Sequence, residues 1–262
     1  MPRPSPRFDR YLVAYKTIVV KEVSRFARIW LQTILPAGVS MSLYFIVFGQ
    51  LIGPRIGEIA GYPYIQYIAP GLIMMSVITN AYSNVVSSFF GSKFQRHIEE
   101  MLMAPIPSAI ILAGFVTGGM VRGLLVGTVV TAVALLFTEL SAHSYPVVAA
   151  TIVLTSVLFS LGGLINGIFA RNFDDTSIIP AFVLTPLTYL GGVFYSIELL
   201  PPVWRSVSLA NPVLYMVDAF RYGILGVSDV PIALAFAVIV GCVAVLWCWS
   251  LYLLNRGVGI RS

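Results

Sequence analysis

Apolar residues run through this chain in six blocks, at about 29–51, 64–90, 108–137, 146–169, 177–196 and 230–253. Each is near the ~20 residues that a helix needs to cross a hydrocarbon core of ~30 Å. The second and third are longer than that, so parts of them protrude or tilt. Pro180 and Pro186 predict a kink in the fifth. Ahead of the first block the pattern is periodic. From Phe8 to Trp30 the apolar positions 8, 12, 15, 19, 23, 26 and 30 recur in steps of three or four. Asp9, Arg10, Lys16, Thr17, Ser24, Arg25 and Arg28 take the other side. This predicts an amphipathic helix over 8–28 whose basic face suits an anionic leaflet, as a simple anchor or as an anchor that also touches a partner.

Two connecting stretches carry patterns of their own. Lys93 to Pro107, KFQRHIEEMLMAPIP, is too polar for hydrocarbon, yet Phe94, Ile98, Met101 and Leu102 share one helical face. The helix must stop near Ala104, because Pro105 disfavours helical geometry in the residue before it. The stretch 197–230 is too long for a simple turn. Pro201-Pro202 opens one short run, and Asn211-Pro212 reads as an N-cap followed by proline at the first helical position. The second run ends at Gly226, a C-cap residue type, and Asp218 and Arg221 are spaced to pair on it. Trp204, Tyr215 and Tyr222 suit a membrane–water interface. Two short helices are expected here, either as a structural pair or as a lid over an exit. The whole, 1–262, reads as a single all-α membrane domain with six transmembrane helices.

Composition agrees. Of 262 residues, 58% are hydrophobic and only 10% charged, with a mean hydropathy of +0.90. Soluble domains carry roughly a quarter charged residues. The net charge of +5 does not point to nucleic acid here, because the placement of basic residues sets orientation instead. Seven precede the first block, and Lys93, Arg96, Arg171, Arg256 and Arg261 fall on the same side. Arg55, Arg205 and Arg221 fall on the other, which puts both termini and Lys93 to Pro107 in the cytoplasm. The polar, basic first 28 residues contain no signal-peptide core or cleavage site, so the first block is expected to anchor the chain.

The third block carries Gly114, Gly118, Gly119, Gly123 and Gly127 in GxxxG spacing, and the fourth adds Gly163 and Gly167. Such small residues let backbones approach closely, within one chain or between subunits. Arg122 lies among them. A charge at that depth is costly and calls for a cavity, a partner or snorkelling to the headgroups.

Candidate chemistry is otherwise sparse. No GxxxxGK[ST] phosphate loop, HExxH, CxxC or GxSxG occurs. His97 and His143 fall on opposite sides of the expected membrane, and Cys242 and Cys248 are spaced off one helical face. No metal site and no catalytic residue is expected. The adjacent Asp174 and Asp175 suit a solvated turn or a partner contact, and no ion relay accompanies Arg122. Energy for uphill movement would have to arrive by contact.

The order of these pieces, with LGGVFYSIELLPPVWRSVSLANPVLYMVDAFRYGILG from Leu190 and IEEMLMAPIP from Ile98, resembles the membrane subunits of ABC-2 type exporters. The matching positions are Gly191-Gly192, Phe194, Leu200-Pro201, Trp204, Asn211-Pro212, and Asp218 with Arg221. The resemblance implies a permease of a bacterial inner (cytoplasmic) membrane that exports an amphiphilic, lipid-linked or drug-like substrate. It implies a homodimer in contact with membrane lipids, with each chain docking a separately encoded ATP-binding cassette subunit that holds ATP and Mg, and no cofactor bound by this chain. Lys93 to Pro107 would contain the coupling helix. Phe94, Ile98, Met101 and Leu102 would fill a groove of the ATPase, and Arg96, Glu99 and Glu100 would fix register. The pair at 197–230 would be re-entrant before the last span. The rival readings are a self-sufficient secondary carrier or lipid flippase and, more distantly, a membrane-bound transferase. The cargo is not legible in the residues.

Overall fold

A computed structural model describes residues 7–259. Arg3 and Arg261, counted above for orientation, lie outside them. The described chain is an all-α membrane protein. Helix α1 (Arg7–Arg28) is followed at once by α2 (Trp30–Tyr44), which runs through a π-helical stretch, Phe45–Ile52, into α3 (Gly53–Ile56). A two-residue hairpin pairs Glu58 with Pro63 and Ile59 with Tyr62. Its turn uses positive φ at Ala60 and Gly61, the geometry that matches strand twist. Then come α4 (Tyr64–Phe94), α5 (His97–Met103), α6 (Ser108–Ala134) and α7 (Tyr145–Phe169). The remainder is α8 (Asp175–Ile179), α9 (Thr185–Tyr189), α10 (Pro202–Leu209), α11 (Pro212–Leu225) and α12 (Ile232–Arg256).

Among the described residues, five helices are long and apolar enough to cross a membrane: Trp30–Ile56, Tyr64–Phe94, Ser108–Ala134, Tyr145–Phe169 and Ile232–Arg256. The block expected at 177–196 differs. Its helical run covers 175–189, with a π-helical turn, Pro180–Leu184, between α8 and α9. At ~1.5 Å per residue it reaches about 22 Å, short of a full hydrocarbon core. The π turn forms where Pro180 and Pro186 disturb the regular ladder, and Thr185 answers the Pro180 carbonyl with both its N–H and its hydroxyl. The run stops because Gly192 adopts a φ of +70° and turns the chain under α11.

Helix α4 is the hub, packed along α6 and α7, while α11 wedges between α4, α7 and α12. One core cluster joins Phe45, Tyr67, Leu72, Val217 and Phe220 at the end away from the described termini. A second, at the end that carries them, joins Ile18, Phe89, Ile98, Phe115, Leu164 and Leu254. Helices α2 and α12 lie outermost and leave most of their apolar surface uncovered.

The glycine rows act within the chain. A Cβ on Gly163 would sit 2.5 Å from the carbonyl oxygen of Tyr82, so α4 and α7 touch backbone to backbone. Gly119, Gly123 and Gly127 face α4 and α7, whereas Gly114 and Gly118 receive Ile18 and Glu22 of α1. Helix α1 docks through only part of the stripe expected from its periodicity. Phe26 of that stripe is buried together with Ile18 and Glu22, while Phe8 and Leu12 from it are exposed with Val13 and Val20. The inward face is turned because Glu22 finds partners there. Its carboxylate accepts from the Ser88 hydroxyl at 2.6 Å and lies 3.5 Å from Arg25. Arg25 in turn donates to the side chain and backbone carbonyls of Asn84 at 2.8 and 2.9 Å.

Candidate functional site

Helix α4 ends at Phe94, and Arg96 takes a left-handed φ of +62°. That single residue breaks the helix that periodicity would run on from Phe94, so α5 starts afresh at His97 and lasts seven residues. Glu99 and Glu100 occupy its first turn, where the helix dipole favours acids. Ala104 is extended before Pro105, as the proline requires.

The expected apolar stripe is divided by this break. Ile98 is 0% exposed in the core, with Met101 and Leu102 packed partly against the same cluster. Ile98 holds the helix down, and Met101 and Leu102 are half-buried beside it. Phe94, at 64% exposure, and Met103, at 87%, are the apolar side chains that reach outward. Arg96, His97 and Glu100 are exposed beside them.

A second connector completes the surface. Lys93 Nζ donates to the carbonyls of Ile168 and, at 2.8 Å, Ala170, where α7 ends. Phe173 stands edge-on to Phe90 with ring centroids 4.9 Å apart and lies 5.3 Å from Phe94. It is 58% exposed. Its loop caps itself, because Asp175 accepts the Arg171 N–H and donates its own N–H to Asn172, both at 2.8 Å. Phe173 escaped the sequence reading. Its only signal there was an aromatic residue set against two acids in a short polar turn.

At the opposite end of the bundle, α11 is an almost fully buried helix. Asn211 caps it by accepting the Val213 N–H at 3.0 Å, while its amide donates to the Leu187 carbonyl at 2.6 Å, so one side chain ties α11 to α9. Pro212 fills the first helical position, and Pro201 leads into α10, whose Trp204 is exposed. Asp218 and Arg221 are both buried, 3.6 Å apart. The Asp218 carboxylate accepts the backbone N–H groups of Asp229 at 2.9 Å and Val230 at 3.1 Å. Arg221 donates to the Gly192 carbonyl and lies 4.2 Å over the ring of Tyr67. Asp229 then accepts from the Ser196 hydroxyl and the Ile197 N–H, each at 2.9 Å. This network ties the turn at 192–197 and the loop at 229–230 to one helix. Asp229 and Ser196 had no local signal, being 33 residues apart.

Arg122 lies on α6 and donates to the Asn80 side-chain carbonyl at 3.2 Å, one helical turn along α4 from the Asn84 that holds Arg25. It faces a cleft between α2, α4 and α6. Among the described residues, no group of three or more His, Cys, Asp or Glu side chains is arranged to hold a metal.

Residues 13–225 match the family model of the ABC-2 type transporter. The chain is 59% identical over 254 residues to the inner membrane transport permease YadH of Escherichia coli (strain K12), covering 96% of this chain and 98% of that one. It is 26% identical over 219 residues to nodulation protein J of Rhizobium leguminosarum bv. viciae, covering 82% of this chain and 83% of the relative.

Proposed function

Because this chain belongs to the ABC-2 type transporter family, we propose that it is the membrane-spanning permease subunit of an ATP-driven exporter in a bacterial inner membrane. A separately encoded ATP-binding cassette subunit hydrolyses the ATP, since these 262 residues contain no phosphate loop. Two copies of the chain pair, and each docks one ATPase. Both termini face the cytoplasm. The helical run at 175–189 makes the sixth crossing with help from the turn that follows it, and α10 and α11 form a re-entrant pair on the outer side.

The observation that carries this reading is the exposed contact of Phe94 with Phe173, next to a short connector on which Met103, Arg96 and Glu100 are exposed as well. Exposed apolar side chains amid charge, on connectors otherwise built of polar residues, suit a groove on a protein partner. The surface is also braced. Ile98 is sunk in the core and Lys93 is tied to the end of α7, so a push on α5 is passed to α4, α6 and α7. Energy from ATPase closure thus reaches the bundle by contact. In place of the full stripe 94–102, Phe94, Arg96 and Glu100 with Phe173 and Met103 make the contact, and Ile98, Met101 and Leu102 transmit it.

The test is co-purification and transport. Wild-type chain expressed with its neighbouring ATPase should retain that subunit through detergent extraction. Phe94→Asp with Met103→Asp should lose it, and Glu99→Arg with Glu100→Arg should abolish ATP-driven transport, with membrane insertion unchanged in both. Full transport in these variants, or transport that follows ionophores rather than ATP depletion, would instead favour a self-sufficient carrier.

A further inference from the structure

The cleft between α2, α4 and α6 has a volume of about 380 Å³ and is lined by polar and apolar side chains together. Gln32, Thr33, Asn80 and Arg122 are among the polar ones, and Ala37, Met41 and Met75 supply apolar surface. It exists because α2 packs along α6 and stands away from α4. Asn80 and Arg122 lie near the middle of α4 and α6, so this polar lining sits well inside the bundle.

Arg122 is unusually free for a charge in this position. A guanidinium carries five N–H donors, and among the described residues only Asn80 accepts from it. Its Nε is buried with no partner at all, and no carboxylate among the described residues pairs with it. Arg25 of α1, held by the Asn84 that lies one turn along α4 from Asn80, likewise has a buried Nε without a partner but differs in having the Glu22 carboxylate beside it. Thr33, Ser76 and Thr79 also line the cleft and each donates to a carbonyl of its own helix, at 3.1, 3.1 and 2.9 Å. Their oxygens could accept from a guanidinium, yet none is hydrogen-bonded to Arg122, and no acid lines the cleft to repel an anion. An unpaired guanidinium at membrane depth is costly, and its donors match an oxyanion, to which it can present two parallel N–H groups.

We propose that this cleft binds an anionic amphiphile with a terminal phosphomonoester, with the oxyanion on Arg122 and the amide of Gln32 and the chain lying against Ala37, Met41 and Met75. Calling that ligand a cargo rests on the permease reading above; the binding itself is a property of this chain alone.

The test uses the full-length chain in phosphatidylcholine nanodiscs without any ATPase. Equilibrium binding is measured for dioctanoyl phosphatidic acid, dioctanoyl phosphatidylcholine and inorganic phosphate. The phosphatidic acid should bind saturably, at least tenfold tighter than either comparator. Arg122→Gln should weaken it at least tenfold, Arg122→Lys less, and Arg55→Gln, which removes an equal charge elsewhere, not at all. Ser40→Trp narrows the cleft and leaves Arg122 intact; it should weaken the phosphatidic acid as well, and it decides the matter if Arg122→Gln fails to insert. Equal binding by wild type and Arg122→Gln, or equal affinity for the zwitterionic lipid, overturns the site. Inorganic phosphate binding as tightly as the lipid overturns the amphiphile. Failure of an ATPase to co-purify bears only on the permease reading and leaves this measurement standing.

Discussion

Lys93, in the last turn of α4, donates to the carbonyl of Ala170, the residue that closes α7, at 2.8 Å. The contact places a cation at the negative end of a helix and satisfies carbonyls that the helix itself leaves open. It also fixes the distance between the connector holding α5 and the connector holding Phe173. Lys93→Met keeps the aliphatic stem and removes the donor. It should lower stability by about 1–2 kcal/mol, read as a shift in denaturation midpoint in mixed micelles. Crosslinking between cysteines placed at Phe94 and Phe173 should become slower in the same variant. An unchanged crosslinking rate would mean that the aromatic contact, and not the lysine, sets the spacing.

The Asp218–Arg221 pair predicts a non-additive response. Either charge alone is left buried when its partner is removed, and such losses cost about 3–5 kcal/mol. Asp218→Ala also releases the N–H groups of Asp229 and Val230, so it should be the more damaging single change. Asp218→Asn combined with Arg221→Gln should cost clearly less than the two single losses summed, because neither charge remains unpaired. A double-mutant cycle in chemical denaturation reads this. Strict additivity would show that Arg221 is held by Gly192 and Tyr67 and owes little to Asp218.

Docking of α1 predicts two variants with one phenotype. Gly118→Val places side-chain atoms where Glu22 Cβ already lies, 2.5 Å from the position of a Cβ at that glycine. Glu22→Ala leaves the Ser88 hydroxyl and the Arg25 guanidinium short of a partner and should cost about 2–4 kcal/mol. Both should free α1 from α6. Limited proteolysis within 7–28 should accelerate in each, while the bundle from α4 to α7 stays resistant. If only Gly118→Val does so, the carboxylate is not what seats the helix.

Much of the helical layout is readable without tertiary structure. The helices Tyr64–Phe94, Ser108–Ala134, Tyr145–Phe169 and Ile232–Arg256 lie within a few residues of the apolar blocks, because a helix closes its own hydrogen bonds and hydrocarbon sets the length. The stop at Ala104 and the caps at Asn211 and Gly226 were legible for the same reason, each being decided within four residues. The break at Arg96 was not, since nothing local prevents Phe94 to Leu102 from continuing as one helix.

Faces were the harder matter. Periodicity in α1 marks an apolar stripe through Phe8, Leu12 and Phe26, yet of these only Phe26 is buried, beside Ile18 and Glu22. Periodicity in 94–102 groups Ile98 with Phe94, yet one is in the core and the other in solvent. Phe173, Ser196 and Asp229 had no periodicity to betray them.

By itself, then, the sequence determined that this is an all-α membrane protein, where four of its long helices begin and end, and which short segments carry the charge. These are consequences of hydrogen bonds and transfer energies that act within one segment. Which way each amphipathic face turns, that Glu22 is buried, that Phe94 and Phe173 share a surface, and that Arg122 opens onto a cleft were decided only by the tertiary structure. A side chain's burial depends on what residues dozens of positions away bring to it, and no pattern along a single helix contains that partner.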